Sequence, residues 1–388
     1  MQSANDVVTE LVRRQMSDIN WRSGRSFLHM HHGGSELERV SNAASQLYFG
    51  ANASARTSLP SLLELERDVI DSASGYLGAQ PGTVHGVVTS GGTESIFLAV
   101  KAARDRALRR SSRNAVQRIV IPVTAHPAFD KAADCLGLGV LRVPVGSDYR
   151  VDLERLVAEL TAETILVGLS APNLPFGLID PIEEVATVTR SRSIWLHVDA
   201  CLGGLFLPFL SHVARLPAFE FSVAGVDSLS VDPHKYGYAA KGISLLLLRR
   251  TLALPRFQSD SWPLGRYETE GLLGTRAASP LASAWAIFRF LGREGLERAA
   301  TDVWRTLGAL TAGVRDLGCD VLLEPDGPIL CITAPQPTET RAHMLRAGWY
   351  LGLIRSPPAM HLTVNLAHCD AVEPFVTELG EALKRRNG

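Results

Sequence analysis

Three short stretches of the 388-residue chain carry side chains whose types and spacing can do chemistry together. The first is Thr89-Ser-Gly-Gly-Thr-Glu-Ser95, set between an apolar run of strand length and a segment of helical period. Gly91 and Gly92 let a ligand approach the backbone, and the N–H groups and dipole at a helix start favour an anion such as phosphate. Thr93 and Ser95 add hydroxyl donors. Taken alone the stretch is equally a glycine turn with a Ser/Thr cap, and it lacks the G-x-x-x-x-G-K-[ST] spacing of a nucleoside-triphosphate loop. The second, His197-Val-Asp-Ala-Cys-Leu-Gly-Gly204, puts Asp199 at a strand end, where open α/β sheets bind their ligands. A carboxylate there can keep a heterocyclic nitrogen protonated, or simply cap a Gly-Gly turn. The third stretch, 228–242, holds His234, Lys235 and Lys241. Only five of the 39 Lys+Arg residues are lysines, so two of them within one loop stand out. A lysine just past a strand end and among apolar residues has its ammonium destabilised by desolvation and can attack a carbonyl as a Schiff-base nucleophile.

An anion cradle, a carboxylate for a ring nitrogen and an amine for an aldehyde are the attachments that pyridoxal 5′-phosphate needs. They can meet only if the elements bring three strand ends to one edge of a sheet. Strand-length apolar runs at 84–89, 118–123, 140–143, 164–170, 194–199, 226–231 and 243–248 alternate with helical segments, which predicts an α/β fold with a largely parallel sheet. Leu62, Leu65, Val69 and Ala73 mark one helical stripe; Ile96, Val100, Ala103 and Ala107 mark another. The unbroken run Thr164-Ile-Leu-Val-Gly-Leu predicts a strand covered on both faces. From about Leu281 a long helical stretch reaches about Leu317, followed by short strands at 329–334 and 361–366 and a helix at 372–384. The expected division is an N-terminal arm at 1–50, a large cofactor-binding domain at 51–280 and a smaller C-terminal α+β domain at 281–388.

The motifs V-V-T-S-G-G-T-E-S-I (87–96), A-H-P-A-F-D-K-A-A (125–133), F-G-L-I-D-P (176–181), H-V-D-A-C-L-G-G (197–204), D-P-H-K-Y-G-Y-A-A-K-G (232–242) and G-T-R (274–276) occur in this order. With them the chain resembles the aspartate-aminotransferase fold of pyridoxal-phosphate enzymes. Within that fold it is similar to the branch of group II amino-acid decarboxylases and sphingosine-phosphate lyases. The resemblance implies that Lys235 carries the cofactor aldehyde covalently and Asp199 pairs with the pyridinium nitrogen. His126 stacks on the ring, with the surroundings of Ala200 lining its other face. Gly92, Thr93 and His234 hold the phosphate, which Thr275 reaches from the second subunit of a homodimer with composite active sites. Lys241 is similar to a second lysine of the lyase motif and acts electrostatically.

The implied reaction is carbon–carbon cleavage at Cα of a small amino substrate. Retro-aldol release of an aldehyde is placed first and decarboxylation second; transamination or a cofactor-binding pseudoenzyme rank lower. The stretch Asn52-Ala-Ser-Ala-Arg56 departs from the Asn-x-x-His-Pro of the lyases, with Ala55 at the histidine; Arg56 is a candidate anion contact. His29, His31 and His32 form a local cluster with no carboxylate or cysteine to complete a metal site, so no metal is expected, while a substrate contact stays open. Tyr238 and Tyr267 are either proton donors or structural tyrosines, and Cys201 is expected to pack.

The remaining composition excludes partners. Forty acidic against 39 basic residues give a formal charge of −1, with no basic footprint for nucleic acid. No apolar run approaches the ~20 residues of a membrane span. Neither a secretory leader nor a C-x-x-C pair is visible among five cysteines, which points to a reducing cytoplasm.

Overall fold

The apolar runs form a seven-stranded sheet in the computed structural model, which describes residues 2–55, 57–110 and 117–384. Its strands are β1 (Val84–Thr89), β2 (Arg118–Pro122), β3 (Gly139–Val143), β4 (Thr164–Ser170), β5 (Trp195–Asp199), β6 (Ser228–Val231) and β7 (Ser244–Arg249), in the order β1-β7-β6-β5-β4-β2-β3. β3, β2, β4, β5 and β6 run parallel, while β7 is antiparallel to both β6 and β1. The exception has a simple cause: the 232–243 connection contains no helix, and without a crossover the chain must return antiparallel. That helix-free connection carries His234, Lys235 and Lys241.

Alternation along the strands sends Val120, Val167, Leu245 and Leu247 into one core, and Ile119, Ile121, Leu166, Leu246 and Leu248 into the other. The second core is closed by α4 (Gly92–Arg110) and α5 (Ala128–Leu136) through Ile96, Val100, Phe129 and Ala132. The first lies under α3 (Pro60–Tyr76) and α7 (Ile182–Ser191), with Val69, Ile182 and Val185 buried. All seven residues of β4 are buried, as the unbroken apolar run requires.

The long helix α8 (Ser279–Asp316) is two helices joined at Gly292, whose φ of 57° and ψ of −169° break the spiral. An antiparallel sheet follows, β10 (Asp320–Val321), β11 (Ile329–Thr333), β12 (Gly352–Arg355) and β13 (Pro358–Thr363), with α9 (Pro337–Arg346) and α10 (Val372–Lys384) beside it. The strand expected at 361–366 lies three residues earlier. Asn365 is the reason: its side chain accepts from Ala367 N (3.1 Å) and its N–H donates to His368 Nδ1 (2.9 Å), so the chain leaves the ladder there. β12 escaped notice because Gly352 and Arg355 interrupt any apolar alternation.

The arm contains α1 (Ala4–Gln15) and α2 (Ser35–Leu47), and the residues between them are bound to the C-terminal sheet. Tyr350 N donates to Arg25 O (2.8 Å), Phe27 N to Tyr350 O (2.9 Å) and Thr363 N to Phe27 O (2.9 Å). Phe27, 1 % exposed, stacks 4.1 Å from the ring of His368.

Candidate active site

The cradle forms where β1 turns into α4. The first-turn N–H groups of a helix have no intrahelical partner, so they face whatever lies beyond the strand ends. Glu94 fixes the turn from within: its Oε2 accepts from Ser90 N and Ser90 Oγ, both at 2.7 Å, and its Oε1 accepts from Leu272 N at 2.8 Å. Below it Thr89, Ser95 and Ser244 form a buried hydroxyl chain, 2.7 and 2.8 Å, that joins β1, α4 and β7. A Cβ on residue 92 would stand 2.5 Å from Cys201 Sγ and 3.2 Å from Asp232 Oδ2, so only glycine brings the three segments together. Cys201 packs, as expected, and does so against this cradle.

Asp199 ends β5. Its Oδ1 accepts from Cys201 N (3.1 Å) and Ser230 Oγ (3.2 Å), and Oδ2 takes no hydrogen bond among the described residues. His126 accepts the Ala128 N–H on Nδ1 (3.1 Å), which fixes the ring plane at the start of α5. Ala200 is fully buried. Lys235 Nζ stands 3.0 Å from Asp232 Oδ2, and His234 Nε2 lies 3.6 Å from the same oxygen. The other nitrogen of His234 donates to Ile243 O.

These contacts correct one expectation. Burial does disfavour the Lys235 ammonium, but Asp232 more than offsets it, and the pKa is held above the ordinary lysine value. Burial would likewise raise Asp232, yet Lys235 and His234 pull it below the usual carboxylate range. The lysine whose ammonium is destabilised is Lys241, brought down to about 8 by desolvation and by the charge on Lys235; its Nζ donates to His234 O at 2.8 Å. Asp232 was missed as a functional residue, although its spacing three before a lysine was legible as D-x-x-K.

Thr275 lines a cavity of about 250 Å³ together with Thr89, Ser90, Lys241 and Gly242 of its own chain. The segment is held there by Asn52 and Ser54: Asn52 Oδ1 accepts from Arg276 N (3.2 Å), Ala53 N donates to Arg276 O (2.8 Å), and Ser54 Oγ donates to Gly274 O (2.6 Å). The Asn52 stretch is therefore a brace for the G-T-R segment. Arg56 lies outside the described residues. Tyr238 is buried, and the hydroxyl of Tyr236 is committed to Val364 O at 2.6 Å. Tyr267 lies on the short hairpin of β8 (Phe257–Ser259) and β9 (Tyr267–Thr269), against Trp262, and lines a cavity with Ser54, Gly274 and Arg276 of the G-T-R brace.

The three histidines of the arm diverge. His32 meets the edge of Trp21 at 5.6 Å, while His31 turns inward to Tyr236 at 5.0 Å. Among the described residues neither ring nitrogen of His31 has a hydrogen-bond partner, neither reaches solvent, and the lysine loop with Lys235 and Lys241 is near enough to act on the ring electrostatically.

An anion cradle that admits only glycine, a strand-end carboxylate with a free oxygen and a lysine in the adjoining loop fit pyridoxal 5′-phosphate, and with this fold they define a pyridoxal-phosphate-dependent enzyme. The pattern of the pyridoxal-dependent decarboxylase conserved domain matches residues 38–331. The chain belongs to that family, and its chemistry is that of a carbon–carbon lyase. It is 34 % identical to the sphingosine-1-phosphate lyase of Dictyostelium discoideum, over 98 % of this chain and 72 % of the relative. A probable L-tyrosine/L-aspartate decarboxylase of Methanosarcina acetivorans is 31 % identical over 88 % of this chain and 89 % of its own. Among solved structures, a sphingosine-1-phosphate lyase of Burkholderia pseudomallei superposes with a TM-score of 0.92 at 32 % identity, over 99 % of this chain and 91 % of that one. The glutamate decarboxylase of Lactobacillus brevis shares the fold, with a TM-score of 0.86 at 18 % identity, over 99 % and 93 % of the two chains.

Proposed function

We propose that the protein cleaves the Cα–Cβ bond of a β-hydroxy amine by retro-aldol chemistry, releasing an aldehyde. The observation that carries this reading is the likeness to sphingosine-1-phosphate lyases over nearly the whole chain, in sequence and in fold. The bound cofactor supplies an electron sink for bonds at Cα of an amine. Lys235 holds its aldehyde carbon, Asp199 keeps its ring nitrogen protonated and His126 covers the ring face. Gly92, Thr93 and His234 hold its phosphate with Thr275, which comes from the second copy of a homodimer. Lys241, its pKa brought down to about 8, acts on the site electrostatically from beside His234. The commitment of the Tyr236 hydroxyl to Val364 removes one tyrosine as the proton donor that decarboxylation needs.

A reducing, cytoplasmic setting agrees with five unpaired cysteines. The division proposed at 50/51 and 280/281 keeps the seven-stranded sheet between its two cuts and the C-terminal sheet after the second, which falls in the first turn of α8; the arm docks on the C-terminal unit. Decarboxylation is the second reading, favoured by the likeness to the archaeal decarboxylase.

Product analysis over β-hydroxy amines, their phosphate esters and amino acids decides between the two. Aldehyde release establishes the retro-aldol reading, carbon dioxide without aldehyde replaces it with decarboxylation, and no turnover leaves a pseudoenzyme. Borohydride reduction of the holoenzyme followed by peptide mapping places the covalent bond on Lys235; a label on Lys241 rejects that assignment.

A further inference from the structure

We propose that His31 receives the proton of the substrate's hydroxyl and returns it to carbon, an assignment that rests on the retro-aldol reading above. Its geometry is unusual for a structural histidine. A buried imidazole normally donates from one nitrogen and accepts on the other, because an unpaired nitrogen has given up its hydration on burial and gained nothing in return. His361, His368 and His197 each have at least one such partner; His31 has none on either side.

The chain goes to some length to hold His31 there. His29 adopts φ 63°, a left-handed conformation costly for a non-glycine residue, and so turns the segment inward. Asn365 then clasps the two flanking peptides, donating from Nδ2 to Met30 O (3.0 Å) and accepting the His32 N–H on Oδ1 (3.4 Å). Gly33 completes the approach, since a Cβ there would strike Leu37 at 2.5 Å and the Tyr238 ring at 3.0 Å. Three remote parts of the chain, the arm, the lysine loop and the C-terminal unit, thereby converge on one unpaired imidazole. Strain held by its surroundings and an unsatisfied buried polar group both point to a ligand that completes the site.

The proton state suits a base. Desolvation first, then Lys241, Lys235, His234 and His368, depress the pKa of His31 well below 6.5, so the ring is neutral and has a free lone pair at pH 7. In the step assigned to it, the substrate O–H breaks and an imidazole N–H forms. The C–O bond becomes C=O as the Cα–Cβ bond breaks, and the electron pair is left on the Cα side. That position takes one proton back from the imidazolium, so aldehyde and amine together account for every atom of the substrate.

The test uses the holoenzyme of the wild type, His31→Asn and His31→Ala, with a 2-amino-3-hydroxyalkyl phosphate and its 3-deoxy analogue. Cofactor affinity and absorbance are expected to stay at wild-type values in both variants. Aldehyde release by His31→Asn falls about 100-fold in kcat, the lower range for loss of a general base, and added imidazole restores part of the activity of His31→Ala. In ¹⁵N-histidine-labelled holoenzyme, the His31 resonance, identified by its loss in His31→Asn, shifts with the hydroxy amine and not with the deoxy analogue. Unchanged aldehyde release by His31→Asn overturns the assignment and leaves the retro-aldol reading standing. If the wild type itself releases no aldehyde, the retro-aldol reading falls and the resonance still decides His31: a selective shift upholds the hydroxyl contact, and equal responses to both compounds overturn it.

Discussion

Lys235 and Lys241 show how far a residue's type determines its chemistry. Their scarcity in an arginine-rich chain singles both out, because a guanidinium does not give up its proton and an amine can. Which of the two is poised to lose it follows from their surroundings: Asp232, 3.0 Å from the Lys235 amine, holds that one charged, while desolvation and the charge on Lys235 loosen the proton of Lys241. In the cofactor-free protein Asp232 holds Lys235 as an ammonium above its ordinary pKa. Removing that charge lowers the pKa and raises the fraction of free amine at every pH below it. Asp232→Asn should therefore move the pH profile of Lys235 acetylation in the cofactor-free protein downward by about one unit or more, the usual size of an adjacent-charge effect. Mass spectrometry of the modified peptide reads the profile; one that coincides with the wild type's would show that Asp232 does not govern Lys235.

At the scale of elements, the active-site loop owes its position to the antiparallel return of β7, and His31 owes its position to the docking of the arm on the C-terminal sheet. His368 is central to that docking. It donates from Nε2 to Ser26 O (3.0 Å), accepts from Asn365 N (2.9 Å) and stacks on Phe27. Burial depresses its pKa to about 4, against about 6.5 in the unfolded chain. Between those values the unfolded state binds the extra proton, so stability falls as pH drops from 6.5 toward 4, by up to about 3 kcal/mol for this one group. The midpoint of thermal unfolding should drop less between pH 7 and pH 5 in His368→Gln than in the wild type. Parallel curves for the two proteins would remove His368 from the account.

For the whole molecule the open surface matters most. α1 has no buried residue and presents Val7, Val8, Leu11 and Val12 to solvent, and the 262–273 segment presents Trp262, Leu264, Leu272 and Leu273. The homodimer proposed above would have these side chains to cover. If Thr275 serves the partner's site, mixing Lys235→Ala with Thr275→Ala after reversible dissociation regenerates sites that contain both side chains, and activity should rise well above that of either variant. Activity no greater than that of the unmixed proteins would place Thr275 in the site of its own chain. The sequence by itself determined the fold class, the runs that become the seven strands of the large sheet and the three stretches proposed to hold the cofactor, because each is a local pattern: an apolar run, a glycine turn, a lysine after a strand. It did not show β12, whose apolar alternation is interrupted, nor the docked arm, the brace from Asn52 to Arg276 or the inward turn of His31, each of these three depending on contacts across hundreds of residues. Only the tertiary structure decided which amine is charged and which histidine is bare, since both depend on the groups that folding brings beside them.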